Sequence, residues 1–162
     1  MKVFVSVFSV AVLLNSAVAQ EAHKELPSTR TVLFVCEHGA ARSTIASAYF
    51  NKLAQHMKLK YQSVFRGTDP DSAITAATKR GLAEDGFDTE DLKPQLVVQR
   101  DIEGALQIVT FDCTLPNPDS LSTPLQRWDG IPPISKNYQV ARDEIVKRVR
   151  ALIAELANRE SH

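Results

Sequence analysis

Cysteine and tryptophan are scarce in this chain: two cysteines, Cys36 and Cys113, and one tryptophan, Trp128, in 162 residues. So few cysteines exclude a disulfide-scaffolded fold and leave room for one bridge at most, so an apolar core must do the stabilising. Excess charge is missing too. Nineteen basic residues face nineteen acidic ones, for a net charge of zero, and no stretch interleaves aromatic with basic residues. Nucleic acid is therefore not an expected partner. After residue 19 no apolar run is long enough to cross a bilayer, so no membrane is expected for the mature chain. No His, Cys, Asp and Glu set has metal-ligand spacing, and neither a metal nor another cofactor is expected.

What is present begins with "MKVFVSVFSVAVLLNSAVA". Lys2, the apolar stretch from Val3 to Leu14 and Ala17-Val18-Ala19 form the charged start, short apolar core and small-residue cleavage pattern of an export signal. The chain is expected to be exported, periplasmic or secreted, after cleavage near Ala19. Residues 20–30, "QEAHKELPSTR", are polar and contain a proline, as a flexible leader would. Residues 31–162 remain as one domain, long enough to bury a core.

Within that domain "TVLFV" and the run from Leu106 to Phe111 read as strands buried on both faces. "YQSVFRGT" reads as another strand and "LQRWD" as a short fourth one. Helical stripes follow: Ile45, Ala46, Ala48, Tyr49, Phe50 and Leu53 in one segment. Residues 69–86 form a second, with Asp71 as its cap signal and Gly86 as its stop. A last helix from Tyr138 carries Val140, Ile145, Val149, Leu152, Ile153 and Leu156. Strands alternating with helices imply parallel pairing, right-handed crossovers and a sheet covered on both faces, an α/β class with three layers. Ligands of such folds bind beyond the carboxyl ends of the strands, where Cys36, Gly67, Cys113 and Asp129 are expected.

The segment "VCEHGAARS" concentrates the chemistry. Between a strand end and a helix start, successive N–H groups can curl into a nest for an anion, and the helix terminus adds further donors. Gly39, Ala40 and Ala41 let the backbone curve tightly. Arg42 supplies a planar fork for two oxygens. Helix N-termini and nearby cations favour a thiolate, so Cys36 is a candidate nucleophile, with Ser43 placed to donate to it. Cys36 and Arg42 are thus candidate catalytic residues, and Glu37, His38, Gly39, Ala40, Ala41 and Ser43 candidate substrate-binding ones. Elsewhere, Trp128 reads as core or pocket wall, Arg66 as a solvated arginine, and Asp112 as a helix cap or pocket residue.

"VLFVCEHGAARS", "FRGT", "IVTFDC" and "RWDGIPP" together resemble the low-molecular-weight protein tyrosine phosphatases and the thioredoxin-coupled arsenate reductases, which share one fold. The resemblance implies a four-stranded parallel sheet flanked by helices, with Cys36 as nucleophile, Arg42 as oxyanion clamp and Ser43 as the thiolate's partner. Three departures stand out. Gly39 replaces an asparagine in a left-handed turn that glycine adopts freely. Glu37 puts a carboxylate beside an anion site. "WDGIPP" has proline where the phosphatases carry their acid, which leaves Asp129, three residues earlier, as the candidate proton donor.

Three activities follow from these residues. A phosphatase would hydrolyse a phosphorylated small molecule or phosphoprotein through a thiophosphate on Cys36. An arsenate reductase would use Cys113 as redox partner, and because the family's third cysteine is missing it would need an external thiol. A non-catalytic oxyanion or phosphopeptide binder would need only the nest. Cys36 and Cys113 could equally form a structural disulfide or a reversible redox cap.

Overall fold

The computed structural model describes residues 30–116, 118 and 121–160. The expected export signal and nearly all of the leader, residues 1–29, lie outside the described residues. Four strands and four helices follow in the order β1 (Arg30–Cys36), α1 (Arg42–His56), β2 (Tyr61–Gly67), α2 (Ala76–Glu84), α3 (Gln99–Glu103), β3 (Ala105–Phe111), β4 (Leu125–Arg127) and α4 (Tyr138–Glu160). The four strands make one parallel sheet in the order β2-β1-β3-β4. β1 opens at Arg30, one residue earlier than the sequence pattern suggests.

Alternation along β1 explains how the sheet is covered. Val32, Phe34 and Cys36 face one cluster, which α1 and α4 close with Ile45, Phe50, Ile145, Val149 and Leu156. Leu33 and Val35 face the other, closed by Val97, Ile102, Ile108 and Leu115. Both faces are apolar because a parallel strand in mid-sheet is buried on both sides. Phe34 is the hub of the first cluster, with ring centroids 5.8 Å from Phe50, 6.3 Å from Phe111 and 5.8 Å from Trp128. Trp128 is 6% exposed and meets Phe111 edge to face, so it is a core residue beneath the site.

Four expectations need correction. The second helix starts at Ala76, and its cap is Thr75, whose Oγ1 accepts from the Thr78 N–H at 3.2 Å. Asp71 instead lies in the turn before it, its N–H donating to the His38 carbonyl. On α4, Val140 is 51% exposed. The buried stripe runs through Ala141, Ile145, Val149, Leu152 and Leu156, spacings of three and four that turn position 140 outward. Arg66 is no solvated arginine: it grips Asp101 with two bonds, Nε–Oδ2 at 2.9 Å and Nη2–Oδ1 at 3.1 Å. Asp129 lies two residues beyond the end of β4 rather than at it.

β1 connects to β2 on one side and its other neighbour is β3, so chain direction across the sheet reverses between β1 and β3. The carboxyl ends of those two strands flank the crevice where parallel α/β sheets bind ligands. Cys36 ends β1, and Asp112 and Cys113 follow the end of β3.

Candidate active site

The loop from Cys36 to Arg42 is held open by its own carbonyls. The Cys36, Glu37, His38 and Ala40 carbonyls accept from the N–H groups of Thr68, Asp69, Asp71 and Thr75 at 2.8–3.2 Å. The Gly39 carbonyl accepts from Thr44 Oγ1 at 2.8 Å and the Ala41 carbonyl from the Ile45 N–H at 2.9 Å. In a planar trans peptide the N–H points opposite the carbonyl. With these carbonyls drawn outward, the amides that follow them turn into the loop. Among the described residues, the amides of residues 38–43 donate to no protein group. A run of inward donors at a helix N-terminus is an anion cradle.

Two glycines make this curvature sterically accessible. Gly39 has φ +61°, and a Cβ there would stand 2.9 Å from the Gly67 nitrogen. A Cβ on Gly67 would in turn stand 2.9 Å from the Glu37 oxygen, the Gly39 nitrogen and the His38 carbonyl carbon. The end of β2 is therefore the wall against which the loop is pressed.

The sulfur sits at the base of the cradle. Cys36 is 4% exposed, and its Sγ lies 3.0 Å from the buried Ser43 Oγ. Although Cys36 belongs to the apolar cluster, its sulfur has a polar partner on the first turn of α1. Cys113, the second free thiol, donates to the Val35 carbonyl at 3.5 Å, one residue before Cys36. Burial pushes the Cys113 thiol up to about 11, against a smaller downward pull from the Phe111 backbone, and the neighbouring Cys36 adds to the rise. Cys113 is accordingly a thiol at neutral pH.

Arg42 opens α1 and its Nη1 donates to Asp112 Oδ2. Asp129 comes to the same place: its Oδ1 accepts from the Asp112 N–H at 3.0 Å. So Cys36, Arg42, Ser43, Cys113 and Asp129 gather at one crevice, together with Asp112. The Glu37 and His38 side chains do not join them. Glu37 is 64% exposed, and His38 turns to the 69–71 turn, its Nδ1 3.3 Å from the Asp69 carbonyl and 3.7 Å from Asp71 Oδ1. The Glu37 carboxylate thus points away from the loop interior. The sequence carries no signal for Thr44; it places Gly67 at a strand end and reads Asp112 as a helix cap or pocket residue, of which the structure bears out the second. The adjacency of Gly67 to a loop nearly thirty residues earlier depends on strand pairing, which spacing cannot show. Among the described residues no three His, Cys, Asp or Glu side chains group as a metal site.

A thiol under an amide cradle, at the topological switch of a parallel sheet and with an arginine at the rim, is an arrangement that can receive a tetrahedral oxyanion. Residues 31–117 match the model of the low molecular weight phosphotyrosine protein phosphatases, and the chain belongs to this family. Its fold is similar to that of an arsenate reductase from Archaeoglobus fulgidus, at 30% identity and TM-score 0.64 over 76% of this chain and 98% of that one. It is also similar to a low molecular weight phosphotyrosine phosphatase from Vibrio cholerae, at 18% identity and TM-score 0.67 over 80% and 98%. A thioredoxin-dependent arsenate reductase from Corynebacterium glutamicum shares 24% identity and TM-score 0.63 over 80% of this chain and 62% of that one. No curated protein matches the chain. Enzymes of both activities stand among its structural relatives.

Proposed function

We propose that this protein is an exported cysteine-dependent phosphatase that hydrolyses phosphomonoesters through a thiophosphate on Cys36. The observation that carries this reading is the loop itself: the carbonyls of residues 36–41 are all engaged, the amides of residues 38–43 donate to no protein group among the described residues, and the Cys36 sulfur is hydrogen-bonded to Ser43 Oγ. The amides and Arg42 bind the phosphoryl oxygens and stabilise the charge that spreads over them in the transition state. The Cys36 thiolate attacks phosphorus in line, forming the S–P bond as the ester P–O bond breaks. Asp129 gives its proton to the departing oxygen. A water, surrendering a proton to the same carboxylate, then attacks phosphorus, and the S–P bond electrons return to sulfur, which Ser43 receives by hydrogen bond. The hydrogen bond from the Asp112 N–H holds the Asp129 side chain at the crevice, which puts a carboxyl group there despite the missing Asp-Pro.

A second reading, arsenate reduction, is favoured by the Cys113 thiol beside the end of β1 and by the 30% identical arsenate reductase. Cys36 would displace water from arsenate. The Cys113 thiol, passing its proton to an oxygen on arsenic, would then attack Cys36 Sγ, forming the disulfide as arsenic takes the S–As electron pair and leaves as arsenite. An external dithiol would reduce the disulfide.

Assaying the reduced protein on an aryl phosphate, and on arsenate with a dithiol donor, separates these. Cys36→Ser is expected to abolish either reaction, and Cys113→Ser to spare aryl phosphate turnover. Arsenate turnover that disappears in Cys113→Ser favours the reductase. Anion binding with neither turnover leaves a binding domain. Export is supported by residues 1–19, and the protein recovered outside the cytoplasm should begin at Gln20 by intact mass.

A further inference from the structure

Arg42 already has an anionic partner. Its guanidinium donates to Asp112 Oδ2, and the pair is only part-buried, at 26% and 39% side-chain exposure. Asp112 sits at φ +46°, a left-handed conformation that aspartate tolerates better than most residues with a Cβ. Its remaining polar groups tie it to the loop after β4. The Asp112 N–H donates to Asp129 Oδ1 at 3.0 Å, and the Gly130 N–H donates to Asp112 Oδ1 at 3.2 Å. Residue 112 and residues 129–130 thus clasp each other reciprocally. Beyond Gly130 the chain reaches Ile131, Pro133 and Ile134, which with Ala41 and Arg42 line a cleft of about 450 Å³.

We propose that Asp112 is an internal competitor for the substrate anion: its carboxylate holds Arg42 until a tetraoxo anion displaces it and opens the clasp to residues 129–130. This rests on the loop at residues 36–42 being an oxyanion cradle. Asp112 engages Nη1, and a phosphate brought to the other donors of the same guanidinium would stand at short range from that carboxylate, where the two anions repel each other. Anion binding must therefore break the Arg42–Asp112 bond or weaken it. Broken, it leaves the Gly130 N–H with a carboxylate that no longer has a cation to orient it. Occupancy of the cradle is in this way coupled to the loop that walls the cleft and carries the candidate acid. The opposite role is an anchor: Asp112 would hold Arg42 in a binding-ready pose, and removing its charge would weaken anion binding. The sign of one substitution tells the two apart.

The probe is inorganic phosphate, titrated by calorimetry into the full chain and into Asp112→Asn, which preserves shape and an acceptor for Gly130. The competitor predicts that Asp112→Asn binds phosphate about fivefold or more tightly than the wild type, a coupling of ordinary allosteric size. In the wild type, amide exchange at Gly130 should accelerate as phosphate saturates the site, while the amides of residues 38–43 gain protection. Equal or weaker binding by a natively folded Asp112→Asn overturns the proposal. So does Gly130 exchange that slows or stays unchanged at saturation, a measurement that decides the matter even if the variant does not fold. Phosphate that protects residues 38–43 without moving Gly130 removes only the competitor. Phosphate that binds neither protein removes the cradle, and the competitor with it.

Discussion

Ser43 and Cys113 show how two single residues shape the thiol chemistry. Ser43 Oγ lies within hydrogen-bond distance of the Cys36 sulfur, and Ser43 is fully buried. Ser43→Ala should leave phosphate binding within about twofold, because the cradle is made of backbone. Turnover should fall about 100-fold, the size of losing one donor at a developing charge, with rapid-quench kinetics placing the loss in breakdown of the thiophosphate. Cys113 is governed by burial. Its thiol titrates near 11, so its alkylation by iodoacetamide should climb with pH up to about that value rather than level off near 9. The same shift has a stability consequence whose sign is fixed. The folded state holds the proton more tightly than the unfolded state, so this contribution is whole below the unfolded value near 9.0 and is lost as pH rises towards 11. Urea midpoints of wild type and Cys113→Ser, compared from pH 8 to 11, should converge or cross in that window as the wild type loses its advantage.

At the scale of elements, the cradle is a joint between β1, α1 and the end of β2. Gly67→Ala tests that joint. Its Cβ would meet backbone of residues 37–39 at 2.9 Å, and no flexible side chain can give way. The loop must shift, so phosphate binding should be lost while stability falls by about 1–3 kcal/mol, as overpacking does. Calorimetry with phosphate beside urea unfolding checks both. The loop itself could be read in the sequence, because a buried β-rich run, small residues and a helix stripe are local signals. α4 was legible for the same reason, apart from Val140, where a four-residue spacing from Ala141 to Ile145 carries the stripe. Pairings across elements were not legible. Arg66 finds Asp101 thirty-five residues away, and Thr75 displaces Asp71 as the α2 cap because residues 68–75 are recruited to bind the loop carbonyls. Asp112 is the sharpest case. Its partners lie 70 residues before it and 17–18 after it, and only the order of strands in the sheet brings them together.

Over the whole molecule, one carboxylate fastens three helical regions. Asp85, just after α2, accepts from Tyr49 Oη of α1 at 2.7 Å, from Tyr138 Oη of α4 at 2.7 Å and from Arg142 Nη1 of α4 at 2.6 Å. The head of α4 is thereby pinned to α1 and α2, while further along Arg148 donates to the Asp129 carbonyl at 3.3 Å. Burial works against the Asp85 charge, yet the hydrogen bonds from Tyr138, Tyr49 and Arg142 outweigh it and hold the carboxyl below its ordinary value. Burial, reinforced by the bond to Asp85, pushes the Tyr138 hydroxyl up, so it stays a donor throughout the neutral range. Asp85→Asn leaves Arg142 with Asp143 as its remaining carboxylate, Nε to Oδ1 at 2.6 Å, and takes the charged acceptor from two tyrosines, which should cost about 1–3 kcal/mol at pH 7. Because the folded value is depressed, the wild type has this stabilisation above about pH 4 and loses it as pH falls through the folded value. The difference in urea midpoint between wild type and Asp85→Asn should therefore be full at pH 6 and shrink towards pH 2. A difference that stays constant over that range would mean that the asparagine disturbs packing alone, and that the charge at Asp85 does not hold α4 to the rest of the fold.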